Sequence, residues 1–169
     1  LKESMTLKYL FRRKFIFISS IIFSSSLFSS LEDYYPYPLN TTSNNYGETG
    51  LLEMPSARFM EEGTLKFGIS ASSPNEFTFL AASPFPWFEA VYRYTELKNL
   101  KYGPVAYSGN QSLKDKGFAV KFRLLEESYF FPNIAFGIRD MAGTGRFSGE
   151  YLVASKKIGS FDLSLGFHS

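Results

Sequence analysis

Alternation of apolar and polar residues is the dominant pattern of the chain after Gly47. A period of two is typical of strands with one apolar and one polar face, and no stretch shows the 3.6-residue period and capping residues of an amphipathic helix. The clearest alternating segments are residues 64–70, 88–95, 118–125, 134–139 and 161–168.

Two weaker alternating segments, at about residues 77–82 and 150–156, bring the expected number of strands to about seven. Turn-forming residues separate the segments at 73–75, 83–86, 143–145 and 158–160, and one longer connection is expected from about residue 97 to 114. The pattern therefore predicts an all-β fold, an antiparallel up-and-down meander.

Two architectures satisfy this alternation. In a soluble sandwich or small barrel the apolar faces point inward, whereas in an outer-membrane barrel they face lipid and the charged faces line a wet interior. Aromatic residues at strand ends, among them Tyr92, Tyr94 and residues 129–131, favour the outer-membrane barrel.

The N-terminal region reads as an export signal. Basic residues between positions 8 and 14 precede an apolar run at 15–28 and a serine-rich zone, so a signal peptide is predicted over residues 1–30 with cleavage between about 26 and 30. The alternative is a transmembrane helix, which needs roughly 20 apolar residues. Residues 31–49 form an irregular lead-in rich in Tyr, Pro and Asn.

Composition excludes several kinds of chemistry. The sequence has no cysteine and a single histidine, His168, which argues against thiol catalysis, disulfides, an acylated cysteine, a Ser-His-Asp triad and multi-histidine metal sites. We expect no metal and no cofactor. The net charge of +2 gives no basic face for nucleic acid, so no nucleic-acid partner is expected.

Four long stretches resemble the YjbH family. They are residues 50–58 (GLLEMPSAR), residues 84–95 (PFPWFEAVYRYT), residues 114–117 (KDKG) running into 121–128 (KFRLLEES), and residues 137–140 (GIRD) through 143–145 (GTG) to 150–156 (EYLVASK). Together they span the chain from about Gly50 to its end in one continuous order.

The resemblance implies a Gram-negative outer-membrane β-barrel that takes part in exopolysaccharide production or export. Its implied partners are outer-membrane lipid, the exopolysaccharide and periplasmic export proteins. Residues 50–169 are then expected to be the N-terminal portion of a YjbH-like barrel domain, truncated at the C-terminus, because about seven strands fall short of the eight that the smallest bacterial barrels contain.

Charged residues on the alternating segments are the candidate site. They would line the interior of the barrel or a sugar path, although an internal network of salt bridges explains them equally well. Trp87, Tyr92 and Tyr94 are candidate anchors at the membrane interface. The candidate interior residues are Arg58, Glu89, Arg93, Lys121, Arg123, Arg139, Asp140 and Glu150.

A non-enzymatic scaffold or conduit is the expected function, and no catalytic residue is assigned. Glu126 and Glu127 are adjacent and would face opposite ways in a strand, so they do not form an acid/base pair. The main alternative is a periplasmic enzyme that modifies or cleaves the polysaccharide, drawing on Glu89, Asp140 or Glu150 as glycosidase carboxylates. A soluble sugar-binding β domain is a second alternative.

Overall fold

Nine strands and one short helix make up the described chain. The computed structural model describes residues 41–169, so the predicted signal peptide and residues 31–40 of the lead-in lie outside the described residues. The elements are β1 (Gly50–Leu51), β2 (Met54–Pro55), β3 (Thr64–Ser72), β4 (Asn75–Phe85), β5 (Phe88–Lys101), α1 (Val105–Ser108), β6 (Ser112–Leu125), β7 (Asn133–Met141), β8 (Gly149–Ile158) and β9 (Phe161–His168).

The seven strands β3 to β9 form one antiparallel sheet in which each strand pairs with its neighbours in the chain. This confirms the predicted all-β meander. Within residues 41–169, β3 and β9 are the edge strands. The long connection expected at 97–114 is shorter than predicted, because β5 and β6 stay paired from Phe88↔Phe122 out to Lys101↔Ser112. Only residues 102–111, with α1, remain as the loop.

The outer face of the sheet is apolar and exposed. Leu65, Phe67 and Ile69 on β3 are each between 64% and 68% exposed, and the residues between them are half-buried on the other face. Tyr92 packs on the ring of Phe118 across β5 and β6, with centroids 5.1 Å apart. Further exposed apolar residues on this face are Leu80, Leu124, Leu152, Leu163, Leu165 and Phe167.

The inner face is covered by residues 41–60, which we call the inner segment. This segment makes hydrogen bonds or ion pairs with all seven strands of the sheet. Because one stretch of twenty residues reaches every strand, the sheet curves around it. The strand residues in contact are, from β3 to β9, Lys66, Ser83, Glu89, Lys121, Arg139, Ser155 and Asp162.

The buried apolar core lies between the inner segment and the sheet. One cluster places Ala57 and Phe59 of the segment against Ala135, Tyr151 and Val153. A second cluster places Met60 against Phe79, Ala81, Val91 and Ala119. The core is therefore not a contact between two sheets, as in a sandwich, but the packing of a single sheet around its own preceding chain.

Two glycines let large rings lie flat on the inner face. A Cβ atom on Gly137 would lie 2.2 Å from the Tyr151 ring, and one on Gly68 would lie 2.4 Å from the Phe79 ring. Each ring covers the glycine that faces it on the neighbouring strand, an arrangement that holds curved sheets in register.

No helix among residues 41–169 is long and apolar enough to cross a membrane.

Candidate functional site: the charged inner face

A buried ion pair lies at the centre of the inner face. Lys121 on β6 and Glu89 on β5 are both almost fully buried, with Lys121 Nζ 3.2 Å from Glu89 Oε1. Thr49 of the inner segment donates its backbone N–H to Glu89 at 2.8 Å and its hydroxyl at 2.6 Å. Lys121 in turn donates to the carbonyl oxygens of Arg58 and Thr49. The pair therefore fastens the inner segment to the sheet at two points.

A second buried pair joins Glu48 to Arg139 of β7. The Arg139 guanidinium donates to both carboxylate oxygens of Glu48, with Nη2 2.6 Å from Oε2. The rings of Tyr46 and Tyr151 both lie against this guanidinium, with centroids 4.9 and 5.1 Å from its Cζ. Asn44 donates its side-chain N–H to Glu48 Oε2 at 3.1 Å, and its side-chain oxygen accepts from the backbone N–H of Glu48. Burial is the main cause that raises the pKa of Tyr46.

Arg58 of the inner segment connects two further strand ends. Its guanidinium donates to Glu127 after β6 and to both carboxylate oxygens of Asp162 on β9, with Nη2 2.5 Å from Oδ1. Burial by itself lowers the pKa of Arg58, but the hydrogen bonds with Asp162 and Glu127 outweigh it, so the pKa lies above its ordinary value. Arg58 therefore remains a cation at any physiological pH.

Arg93 and Asp140 form a looser contact. Arg93 Nη2 lies 3.8 Å from Asp140 Oδ1, and both side chains are buried. Asp140 has a φ of 58°, and this left-handed conformation turns its side chain inward beside Gly117 and Gly143. The Arg93 guanidinium also lies over the rings of Tyr46 and Phe147, which gives the cation aromatic partners in place of water.

A cavity of about 250 Å³ lies between the β1–β2 hairpin and strands β8 and β9. Its lining includes Tyr46, Arg139 and Tyr151 together with the apolar residues Met54 and Val153. The hydroxyl of Tyr151 is buried beside the Glu48 carboxylate. The remaining lining residues are Glu53, Pro55, Leu152, Ser164, Gly166, Phe167 and His168.

Most candidate interior residues do lie on the inner face. Arg123 points inward with its guanidinium 4.7 Å from the centre of the Phe59 ring. Glu150 is the exception, because it is exposed and shares its face of β8 with Leu152. Its position corrects the inward placement expected from the sequence. The seven that the structure brings to the inner face are Arg58, Glu89, Arg93, Lys121, Arg123, Arg139 and Asp140.

The candidate anchors lie on the outer side. Trp87 is half exposed in the β4–β5 turn and stacks on Phe85, with ring centroids 5.4 Å apart and planes 5° from parallel. Tyr92 and Tyr94 occupy alternate positions of β5 that point away from the inner face.

The sequence analysis missed the partners of these charged residues. Glu48, Glu127 and Asp162 complete ion pairs, and Thr49 donates hydrogen bonds to Glu89. Glu48 and Thr49 lie in the stretch predicted to be an irregular lead-in. One available signal was the excess of charges at inward positions of β5 to β7, since buried charges need partners. The sequence did not say which residues those partners were.

Chemically, the inner face is a set of neutralised pairs. Each buried carboxylate described above accepts hydrogen bonds or faces a cation, which is suited to holding structure. No group of three or more His, Asp or Glu in the described part of the chain could hold a metal ion.

Comparison with known proteins places this architecture in a family. The YjbH family model, described as "Exopolysaccharide biosynthesis protein YbjH", matches residues 42–169. The chain belongs to the YjbH family. The resemblance seen in the sequence is thereby confirmed, and the family is related by its description to exopolysaccharide biosynthesis.

A curated YjbH relative covers most of the chain. The protein named "Uncharacterized lipoprotein YjbH" from Escherichia coli (strain K12) is 44% identical over 133 residues, which cover 78% of this chain and 19% of that protein. The chain thus spans about a fifth of the length of this relative. No solved structure matches the chain.

Proposed function

We propose that the chain is the N-terminal part of an outer-membrane β-barrel protein that takes part in exopolysaccharide production or export. In this proposal the described residues form a scaffold. The observation that carries the proposal is the reversed distribution of side chains. Leu65, Phe67 and Ile69 face outward and are exposed, while Glu89 and Lys121 are buried inside. Lipid outside and polar groups within is the pattern of outer-membrane barrels.

Strand and loop lengths support the membrane setting. Strands β3, β4, β7 and β8 have 9, 11, 9 and 10 residues, close to the roughly 9–11 that a tilted strand needs to cross a bilayer. The connections at one end of the sheet are residues 86–87, 126–132 and 159–160, and those at the other end are residues 73–74, 102–111 and 142–148, so tight turns are two of three at the first end and one of three at the second. Such asymmetry is usual in outer-membrane barrels.

Aromatic residues cluster at the end of the sheet that carries the connections 86–87, 126–132 and 159–160. Trp87 and Phe85 stack in the β4–β5 turn, and Tyr129 and Phe130 pack edge to face between β6 and β7. Phe161 begins β9 at the same end and is exposed. A girdle of aromatic side chains at one level fits the interface between hydrocarbon and headgroups.

Export and membrane association are consistent with the relative's name. The E. coli relative is called a lipoprotein. For this chain we propose that the apolar outer face of the sheet contacts the membrane. Its proposed partners are outer-membrane lipid, the exopolysaccharide and periplasmic export proteins.

A scaffold accounts better than an enzyme for the state of the carboxylates. Glu89 is occupied by Thr49 and Lys121, Asp140 faces Arg93, and Glu150 lies on the opposite face of the sheet. A glycosidase needs two carboxyl groups that flank one bond of the substrate. We therefore propose a non-enzymatic role.

Location and fold of the full-length product test the membrane proposal. The protein should fractionate with the outer membrane and migrate differently on a gel before and after boiling, and deletion of the gene should reduce extracellular polysaccharide. A periplasmic product without a heat shift would refute the barrel and favour a soluble sugar-binding or polysaccharide-modifying domain.

An engineered disulfide that fixes the inner segment to the sheet distinguishes a scaffold from a conduit. Ala57 N donates to Ser155 Oγ at 2.8 Å, so the inner segment contacts β8 at these two positions and cysteines placed there would tie the segment to the sheet. In the full-length protein carrying Ala57→Cys and Ser155→Cys, oxidation should leave polysaccharide release unchanged, as in the two single-cysteine controls. Release that stops on oxidation and returns on reduction would show instead that the inner segment moves to open a path.

A further inference from the structure

We infer that the apolar tip of the β1–β2 hairpin, formed by Leu51, Leu52 and Met54, packs against later strands of the same protein that join the two edges of the sheet. This inference rests on the proposed function and deepens it, because it assigns the inner segment a partner inside the barrel. The partner surface that fits the tip is an apolar patch on the inward face of those strands.

The hairpin tip is exposed although the residues on both sides of it are buried. Leu52 is 82% exposed, and Leu51 and Met54 are each 59% exposed. Thr49 and Ser56, which flank the hairpin, are buried. Neighbouring apolar side chains that remain exposed together mark a surface that binds a partner.

Turn geometry does not explain the leucine at the tip. Leu52 has a φ of 52°, in the left-handed region that glycine and asparagine adopt at lower cost. A leucine in this conformation, with its side chain exposed, costs stability within residues 41–169. Burial of the leucine against a partner would offset that cost.

The sheet separates the hairpin tip from the proposed lipid contact. The inner segment is bound to the inner face through Glu89 and Lys121, whereas the apolar residues assigned to lipid, such as Phe67, are exposed on the outer face. Lipid would have to pass around an edge of the sheet to reach Leu52. The geometry therefore favours a partner on the inner side of the sheet.

The direction of the strands requires further strands between the two edges of a closed barrel. Seven successive antiparallel strands leave β3 and β9 running in the same direction, so these edges cannot pair antiparallel with each other. An odd number of additional strands completes the even total of a bacterial outer-membrane barrel. The E. coli relative is long enough to supply them, since the matched 133 residues are 19% of it.

The hairpin lies between the same two edges. The Glu53 carboxylate accepts a hydrogen bond from the Ser72 hydroxyl at the end of β3. On the other side, Met54 lines one cavity together with Phe167 of β9. Strands that connect β9 back to β3 would therefore pass opposite the hairpin, and their inward side chains would meet its apolar tip.

Photo-crosslinking in the full-length protein tests the inference. Leu52 is replaced by p-benzoylphenylalanine, outer membranes are irradiated, and mass spectrometry identifies the peptides that become cross-linked. We expect cross-links to peptides that follow residue 169, in a product with the mass of a single chain. The same probe at Tyr107, which is 93% exposed in the loop between β5 and β6, should not give these cross-links.

Cysteine labelling gives an independent measurement. In the full-length protein with any other cysteine replaced by serine, Leu52→Cys and Met54→Cys should react with a maleimide at least about tenfold more slowly when folded than when unfolded, because the contact must open before the thiol is reached. Tyr107→Cys is the exposed control and should react equally in both states. Ala57→Cys, at a fully buried position, is the protected control, and the heat shift shows that each variant is folded.

The possible outcomes distinguish the inference from the proposed function. Absence of the intrachain cross-link, cross-links to lipid, polysaccharide, a second copy or residues before 41, or labelling of Leu52→Cys as fast as Tyr107→Cys would each overturn the inference. A heat-modifiable outer-membrane protein with such a result would refute the inference alone. The expected cross-links in a periplasmic product without a heat shift would refute the membrane proposal and leave the contact within the chain standing.

Discussion

Removing the charge of Glu89 should loosen the inner segment and destabilise the whole sheet. The variant Glu89→Gln keeps the size of the side chain but leaves Lys121 as a buried cation without its carboxylate. Because Glu89 also accepts two hydrogen bonds from Thr49, the substitution weakens contacts within the sheet and contacts between the sheet and the inner segment.

The expected magnitude follows from the geometry. At 3.2 Å between Lys121 Nζ and Glu89 Oε1 and an effective dielectric constant of about 20, the attraction amounts to about 5 kcal/mol. Desolvation offsets part of it, and breaking a buried pair from one side typically costs about 3–5 kcal/mol. Glutamine retains one hydrogen bond with Thr49, so we expect a loss of about 3 kcal/mol, or about two orders of magnitude in the unfolding equilibrium.

The assay is urea unfolding of the full-length protein in lipid vesicles, followed by the gel shift between folded and boiled forms. Glu150→Gln is the matched control, since Glu150 is an exposed carboxylate on the other face of the sheet. Adding Lys121→Met to Glu89→Gln should recover about 1 kcal/mol, because it removes the stranded charge. A Glu89→Gln protein as stable as the Glu150→Gln control would show that the pair does not hold the fold.

Three further changes test other parts of the structure. Gly137→Ala should destabilise the protein by about 1–3 kcal/mol in the same urea assay, because the new methyl group meets the ring of Tyr151. Phe67→Arg on the outer face should cost about 2–4 kcal/mol in lipid vesicles if that position lies near the middle of the bilayer. Tyr46→Phe should reduce the loss of folding stability at alkaline pH. Burial raises the pKa of Tyr46 in the folded protein, so the protonated side chain contributes to stability below about pH 10. This contribution is lost as the pH rises through the folded pKa.

Each of these changes has a control or a refuting outcome. Gly103→Ala, where a Cβ has no neighbour closer than 3.7 Å, should leave stability unchanged, and an equal effect at both glycines would contradict the packing argument. Tyr107→Arg, in the exposed loop between β5 and β6, should be tolerated. A wild type and a Tyr46→Phe variant with the same alkaline profile would exclude Tyr46 as the titrating group.

The sequence predicted the sheet because its signal is local. Alternation at Phe118, Val120 and Phe122 fixes both the strand and its two faces within a few residues. The same pattern did not choose between a sandwich and a barrel, since the period is identical in both. The structure favours the barrel over the sandwich, because the outer face of the sheet is exposed and the inner face is covered by the inner segment.

The site was only partly predictable, because its contacts join residues that are far apart in the sequence. Inward charges such as Lys121 and Arg139 can be predicted from the alternation of their strands, but their partners lie far away in the sequence. Glu48 and Arg139 are 91 positions apart, and Arg58 and Asp162 are 104 positions apart. The inner segment, residues 41–60, has no periodic pattern of apolar and polar residues, and its function as the filling of the sheet follows only from tertiary contacts. Asp140 reached the inner face through a left-handed backbone that alternation does not foresee.

The inner segment has a consequence for how the strands find their pairing. It contacts all seven strands, so each strand that joins the sheet packs against the same set of partners. A slip of one residue in β6 or β7 would turn Lys121 or Arg139 outward and present an apolar side chain to a waiting carbonyl or carboxylate. The inner segment thus favours the native register of the strands, because a slipped strand would leave a charged or polar group of the segment without its partner.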